Sequence, residues 1–169
     1  YQIIISHSGS STADAYDIIL GDVLPSAALE NFTLVSAVIS DGATNTNVLG
    51  SFNLSGSNLS TTGNIDLLLN TNGTNDQILT LVISANVLDG LAVGTSFTNT
   101  ATVQWSSLDG GLDGDDSGTL EERTGAGSNP PNDYTRSDDV TAATIGALGV
   151  TKAVDKATAT IGEIVTYTV

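Results

Sequence analysis

In the stretch "TNTATVQW", residues 98–105, Ala101, Val103 and Trp105 alternate with Thr100, Thr102 and Gln104. A period of two places the apolar side chains on one face of an extended strand and the polar ones on the other. "QILTLVISANV", residues 77–87, follows the same rule less strictly through Ile78, Leu81, Ile83 and Val87. Helical periodicity is nearly absent. Short runs of β-formers are instead separated by Gly, Asn, Asp and Ser, the residues of tight turns. The spacing predicts strands over 1–6, 15–20, 32–39, 48–54, 65–69, 77–87, 96–106 and 140–145, with a last extended segment over about 158–169. "GDVLPSAAL" reads as a turn-rich crossing with at most one helical turn. About eight short strands with closely spaced turns favour an all-β fold, an immunoglobulin-like antiparallel β-sandwich, here with a long acidic loop. Residues 1–148 form the expected sandwich domain and 149–169 a C-terminal extended segment.

Charge narrows the partners. Four Lys and Arg stand against 19 Asp and Glu, for a net charge of −15. Nucleic acid and anionic membranes require clustered basic residues, so neither is an expected partner. No apolar run is long enough for membrane insertion as a helix. Such a surface attracts cations, and its self-repulsion weakens the compact state unless counter-ions bind. The 169 residues include no Cys, which removes disulfides and thiolate metal sites.

Nine acids fall between positions 109 and 139: Asp109, Asp113, Asp115, Asp116, Glu121, Glu122, Asp133, Asp138 and Asp139. Only Arg123 and Arg136 oppose them locally. Calcium takes about 6–8 oxygen ligands from carboxylates, carbonyls and water, and a glycine-broken loop can curl several of these around one ion. Asp113, Asp115, Ser117 and Gly118 match the first half of an EF-hand loop, but the twelfth position is Thr124 and no helices flank it. The expectation is a calcium loop of another kind, with Asp113, Asp115 and Asp116 as ligands and Glu121 or Glu122 closing the site. The simpler alternative is a solvated acidic loop. A second cluster would join Asp133, Asp138 or Asp139 to Asp14, Asp17 or Asp22.

Other candidates carry less chemistry. His7, the only histidine, lies between Ser6 and Ser8 without a nucleophile elbow, and a turn-edge role is expected. With no nucleophile–base pair and no cofactor motif, an enzyme is not expected. Trp105 could stack on a sugar, but its place in an alternating strand fits a core anchor. Tyr134 reads as a loop-packing residue. Lys152 suits a Lys–Asn isopeptide bond helped by a buried acid, although the residues name no partner Asn and a solvated lysine is the simpler reading. Sequons occur at Asn31, Asn53, Asn58 and Asn72.

"IVTYTV" at 164–169 and "YQIII" at 1–5 share an aromatic followed by alternating β-formers, with Tyr167 aligned on Tyr1. Taken in succession, "GEIVTYTV" and "YQIIISHSGSSTADAYDIILGDVLP" resemble the opening of an immunoglobulin-like repeat of bacterial and archaeal surface proteins, catalogued as domain of unknown function eleven. Asp22, Leu24 and Pro25 match its D-x-LP signature, and "VTK" at 150–152 resembles the start of a repeat. "TNTATVQWSSL", "DGDDSGTLEERTG" and "NDY" are similar to the later part of long members. His7 departs from the family, which usually has Asn there. The resemblance implies a tandem module at the prokaryotic cell surface or outside the cell, without a known catalytic site. It also implies that the first strand is split, its upstream half standing at 149–169. Three placements of that half are open: it completes another copy, continues into the next repeat of a longer chain, or folds back onto its own domain as in a circular permutant. The expected partner is another copy, joined head to tail through residues 160–169, which begin at Thr160 and end at Val169. Strand addition at an open sheet edge would make the joint, and a contact of that kind propagates into a filament. The expected function is a calcium-stabilised structural module of a fibre, stalk or surface layer; the alternative is an adhesin that binds a glycan or protein.

Overall fold

The computed structural model describes residues 1–9, 11–69, 75–107 and 134–143, together with 153–156, 158, 160, 161, 163, 164 and 166–168. The described chain is all-β. Strands β1 (Gln2–Ser6), β2 (Tyr16–Val23), β3 (Leu29–Ser40), β4 (Asn45–Asn47), β5 (Phe52–Ser55), β6 (Asn58–Thr61), β7 (Ile78–Val87), β8 (Ser96–Ser106) and β9 (Thr135–Ala143) make two antiparallel sheets. One has the order β1-β7-β3-β4 and the other β5-β6-β2-β8-β9. A separate ribbon pairs β10 (Ala153–Val154) with β11 (Tyr167–Thr168).

The core lies between the two main sheets, as the alternation predicted. Ala37, Leu79, Leu81 and Ile83 from the four-stranded sheet meet Ile18, Leu20, Phe52 and Leu59 from the five-stranded one. The outer faces mix exposed apolar side chains such as Ile4, Ile19 and Val35 with polar ladders. Thr98 and Thr141 share a hydroxyl hydrogen bond of 2.7 Å across β8 and β9, and Thr102 and Ser137 one of 2.9 Å.

Two expected strands differ in the structure. The run 48–54 divides into a 3-10 turn over Leu49–Ser51 and β5, because β5 turns back through Gly56 into β6. Gly56 has φ +60°, a conformation that favours glycine. The run 65–69 makes only an isolated bridge between Ala15 and Leu67. Its apolar character comes from core burial of Ile65 and Leu67 rather than from a ladder. β9 begins at Thr135, earlier than expected, and the C-terminal segment is regular only at β10 and β11.

Backbone irregularities mark where strands change partners. Asp17 and Asn31 have φ near +50° to +55° and sit within breaks of register in β2 and β3, as β-bulges require. At the first break, Ile18 donates its N–H to Ile65 at 2.8 Å, so the start of β2 binds the 65–67 segment before rejoining β8.

Leu81 is fully buried at the centre of the core. Leu81→Ala is expected to cost about 2–5 kcal/mol in urea unfolding, by lost transfer energy and cavity formation. Ile4→Thr, on the exposed outer face of β1, should stay within about 0.5 kcal/mol of wild type. Equal losses at the two positions would contradict this assignment of the core.

Candidate functional site

The feature that stands apart from the regular sandwich is a cleft of about 560 Å³ between the two sheets. It opens where the free edge of β1 faces β9. Ile3 and Ile5 line it from one sheet, and Leu20, Ala101, Val103 and Trp105 line it from the other. Cross-strand partners share a face, so β9 residues paired with this inner row also point inward. Those are Arg136 opposite Val103, Asp138 opposite Ala101, and Val140 opposite Asn99. Val140 is nevertheless 52% exposed. Among the described residues four strands face five, and none lies above the inner face of β9.

The main chain of β1 is open on the same side. Tyr1 and Ile83 exchange both backbone hydrogen bonds, at 2.8 and 3.0 Å. In an antiparallel ladder such pairs alternate, so Ile3 and Ile5 are turned toward β7 as well. Gln2, Ile4 and Ser6 therefore direct their N–H and C=O groups away from β7, toward a side where no other described strand lies.

Further along the inner rows lies a buried polar pair. The apolar alternation of β8 runs Phe97, Asn99, Ala101, Val103, Trp105, and that of β2 runs Ile18, Leu20, Asp22. Asn99 and Asp22 are each one step beyond cleft-lining residues, and are only 5% and 3% exposed. Asn99 Nδ2 donates to Asp22 Oδ2 at 2.7 Å. Asp22 Oδ1, Asn99 Oδ1 and the Tyr1 hydroxyl are buried without a hydrogen-bond partner among the described residues. Burial pushes the Asp22 carboxyl above the usual carboxylate range, and the bond from Asn99 opposes part of that rise. Burial, then the nearby Asp22 charge, raises the Tyr1 phenol. The sequence signal for this pair was a polar residue on an otherwise apolar face in each of two alternating strands.

Most of the acidic cluster expected to bind calcium, namely Asp109, Asp113, Asp115, Asp116, Glu121, Glu122 and Asp133, lies outside the described residues. Asp138 and Asp139 are described and separate. Being consecutive on β9, they face opposite sides of the sheet, Asp138 lining the cleft and Asp139 opposite Thr100 on the outer face. Of the second expected cluster, Asp14 lines the cleft with Asp138, while Asp17 and Asp22 are buried elsewhere. Asp14 is already engaged, accepting from the Leu69 N–H at 2.6 Å and the Tyr16 hydroxyl at 2.9 Å. Among the described residues no group of three or more His, Asp or Glu is placed to hold a metal.

His7 ties a turn to the core edge, with Nε2 2.9 Å from the Leu67 carbonyl and Nδ1 3.3 Å from Ser11 Oγ. The carbonyl can only accept, so Nε2 carries the proton. Trp105 packs against the core and half-faces the cleft. Tyr134 stacks edge-on against it at 5.5 Å and accepts its backbone N–H at 3.1 Å. Both aromatics therefore close one end of the cleft. Asn31, Asn53 and Asn58 are exposed; Asn72 and Lys152 lie outside the described residues.

Comparison with family models, with curated proteins and with solved structures finds no match to this chain.

The raised Asp22 group gives a signed pH dependence. The folded chain keeps a proton that the unfolded chain releases near 3.8. Stability from this group is therefore complete below that value and is lost as pH rises through the folded-state pKa. Measured by urea unfolding, the stability of wild type minus that of Asp22→Asn should be greatest near the acid end and decline with rising pH before levelling. A difference that grows with pH would mean that Asp22 is stabilised as the anion.

Proposed function

We propose that the chain is a structural, non-catalytic module of immunoglobulin-like type, joined head to tail with other copies through its C-terminal segment. The observation that carries this reading is one edge of the sandwich: among the described residues β1 has no strand on its far side, the inner face of β9 has none above it, and a cleft lies between them. A strand added beside β1 would meet all three at once, since its main chain would pair with Gln2, Ile4 and Ser6 while its inward side chains would cover Val140.

The segment 149–169 has the properties of that strand. Ile161 and Ile164 are fully or largely exposed. Lys152 and Lys156 balance Asp155 and Glu163, so the segment is neutral while the rest of the chain holds the whole charge of −15. A neutral strand can dock on that body without adding like charge. The ribbon also supplies a template. Tyr167 aligns with Tyr1, and Val154 pairs with Tyr167 in antiparallel register. By that equivalence the strand carrying Ala153 and Val154 is the neighbour that β1 lacks, with residues 160–169 leading toward the position β1 itself occupies.

Calcium completes the reading on charge. Nine of the 19 acids fall between positions 109 and 139, and a divalent cation bound there would relieve their repulsion in the folded module. A cell-surface or extracellular fibre, stalk or layer is the setting that fits such a module. The adhesin alternative gains nothing from Trp105, whose ring packs against the core and Tyr134 instead of forming an open platform.

Light scattering tests the joint. The full chain should form concentration-dependent oligomers. Ile4→Pro should be monomeric with an unchanged circular dichroism spectrum, because proline removes a donor from the free edge and spares the ladder to β7. A monomeric wild type at all soluble concentrations would overturn the head-to-tail reading. For the cation, calcium at 100-fold excess over its dissociation constant should add about 2.7 kcal/mol of stability if it binds only the folded form. A melting temperature identical in calcium and in EDTA would remove calcium from the proposal.

A further inference from the structure

We infer that the outer face of the four-stranded sheet is a contact surface for the same face of a second copy, the two related by a two-fold axis. The contact stands independently of the head-to-tail joint.

Alternation fixes which side chains this face presents. Leu79, Leu81 and Ile83 are buried in the core, so Ile78, Thr80 and Val82 point out of the sandwich. Thr80 stands opposite Ile4 on β1 and opposite Val38 on β3. It is therefore the centre of a cross of four β-branched apolar side chains, Ile4 and Val38 across the ladder and Ile78 and Val82 along the strand. Ile4 is 59% and Ile78 39% exposed. The paired outward positions around the cross are occupied by Gln, Ser and Asn. An apolar centre within a polar rim is the anatomy of a protein interface, whose core is depleted of charge.

Charge selects both the face and its partner. None of the 19 Asp and Glu or the 4 Lys and Arg falls within these outward rows. Glu30, opposite Asn86, lies beyond one end. Asp41 lies beyond the other, its carboxylate taken up by the N–H groups of Ala43 and Thr44 at 2.9 and 2.6 Å. The outer face of the five-stranded sheet is different: Asp139 stands opposite Thr100, and hydroxyls pair with one another across β8 and β9. A foreign partner drawn by charge would be cationic and would seek the acids, which this face lacks. A second copy carries the same −15, and two such bodies meet at least cost where neither presents a charge. A two-fold axis near Thr80 would lay one apolar cross on the other, with the sheets about 10 Å apart.

Size sets the strength of the contact. Four strands about 4.8 Å apart and about 20 Å long make a face of roughly 400–500 Å², so a pair of faces buries on the order of 1,000 Å², the lower bound for a specific contact. A single pair of modules is therefore weakly held. A fibre that repeats the face along its length gains by multivalency, and fibres would associate side by side.

The chain has no cysteine, so one introduced thiol reports the contact without background. Thr80→Cys in the full chain, treated with a thiol-to-thiol cross-linker spanning about 10 Å, should give covalent dimer several-fold above Thr102→Cys. The Thr102 side chain lies on the outer face of the other sheet, bonded to Ser137. Dimer yield should rise with added sodium chloride, because salt screens the repulsion between the two acidic bodies. Adding Ile4→Glu or Val38→Glu to Thr80→Cys should return the yield to the Thr102→Cys level. Neither change removes a main-chain donor of β1, so head-to-tail oligomers should persist in light scattering. Equal yields from Thr80→Cys and Thr102→Cys, or a Thr80→Cys yield that falls with salt, would overturn the face contact. Strong Thr80→Cys dimer from a chain that forms no head-to-tail oligomers would overturn the joint and leave the face contact standing.

Discussion

A sandwich is stable only when each sheet hides the apolar face of the other, and here the two sheets differ by one strand. The shared inner surface depends on that count. Where β7 and β3 oppose β2 and β6, leucines and isoleucines are fully buried. Toward β9 the opposing sheet ends at β1, and the inner row passes from buried Leu20 to half-exposed Val140 within two strands. Among the described residues the same step leaves the far edge of β1 without a neighbouring strand. An exposed edge of this kind is a template for another strand. In the proposed joint a single added strand would answer both.

How far the residues announced this depends on the strictness of their pattern. β8 was legible from end to end, because "FTNTATVQW" alternates without a break and both faces of the strand are used consistently. β7 was legible in part: Leu81 and Ile83 face the core as expected, whereas Ile78 and Val87 are exposed and Leu79 takes the next core place, because the period of two runs 79, 81, 83. β6 is absent from the expected strands although "SGSN" between two short β-forming runs is a two-residue hairpin signal, because the apolar run 48–54 masks the turn that divides it. The run 65–69 misled in the other direction: burial of Ile65 and Leu67 gives the composition of a strand, while the backbone makes only one bridge with Ala15. Apolar composition reports burial, and the ladder must be inferred from something else.

The candidate site was legible in fragments. Alternation already assigned Ala101, Val103 and Trp105 to one face, and one further step back along the strand reaches Asn99. The D-x-LP stretch held Asp22 in view. What no linear pattern could supply was their meeting, which is a diagonal contact across two strands 77 residues apart in sequence. The acidic cluster is the converse case. Composition made it conspicuous, yet strand geometry separates Asp138 from Asp139, and the members between 109 and 133 lie outside the described residues. Closeness in sequence is weak evidence for a shared ligand sphere when the segment is extended, since consecutive side chains point apart.

Charge and topology together explain why the joint would sit where it does. A body of −15 repels its own kind at most approaches, and a screening length of about 8 Å at physiological salt does not remove that repulsion at contact. The chain keeps its two lysines in the neutral segment that follows the sandwich. In the proposed joint, association through that segment would keep the acidic bodies apart while bringing the lysines toward the cleft, which Asp138 and Asp14 help to line. A strand held by edge hydrogen bonds alone gains about 0.5–1.5 kcal/mol net per bond, little against tension along a fibre. The buried Asp22–Asn99 pair lies one step beyond the residues that line the cleft, and its unmet polar atoms are a cost that the burial around them has to offset.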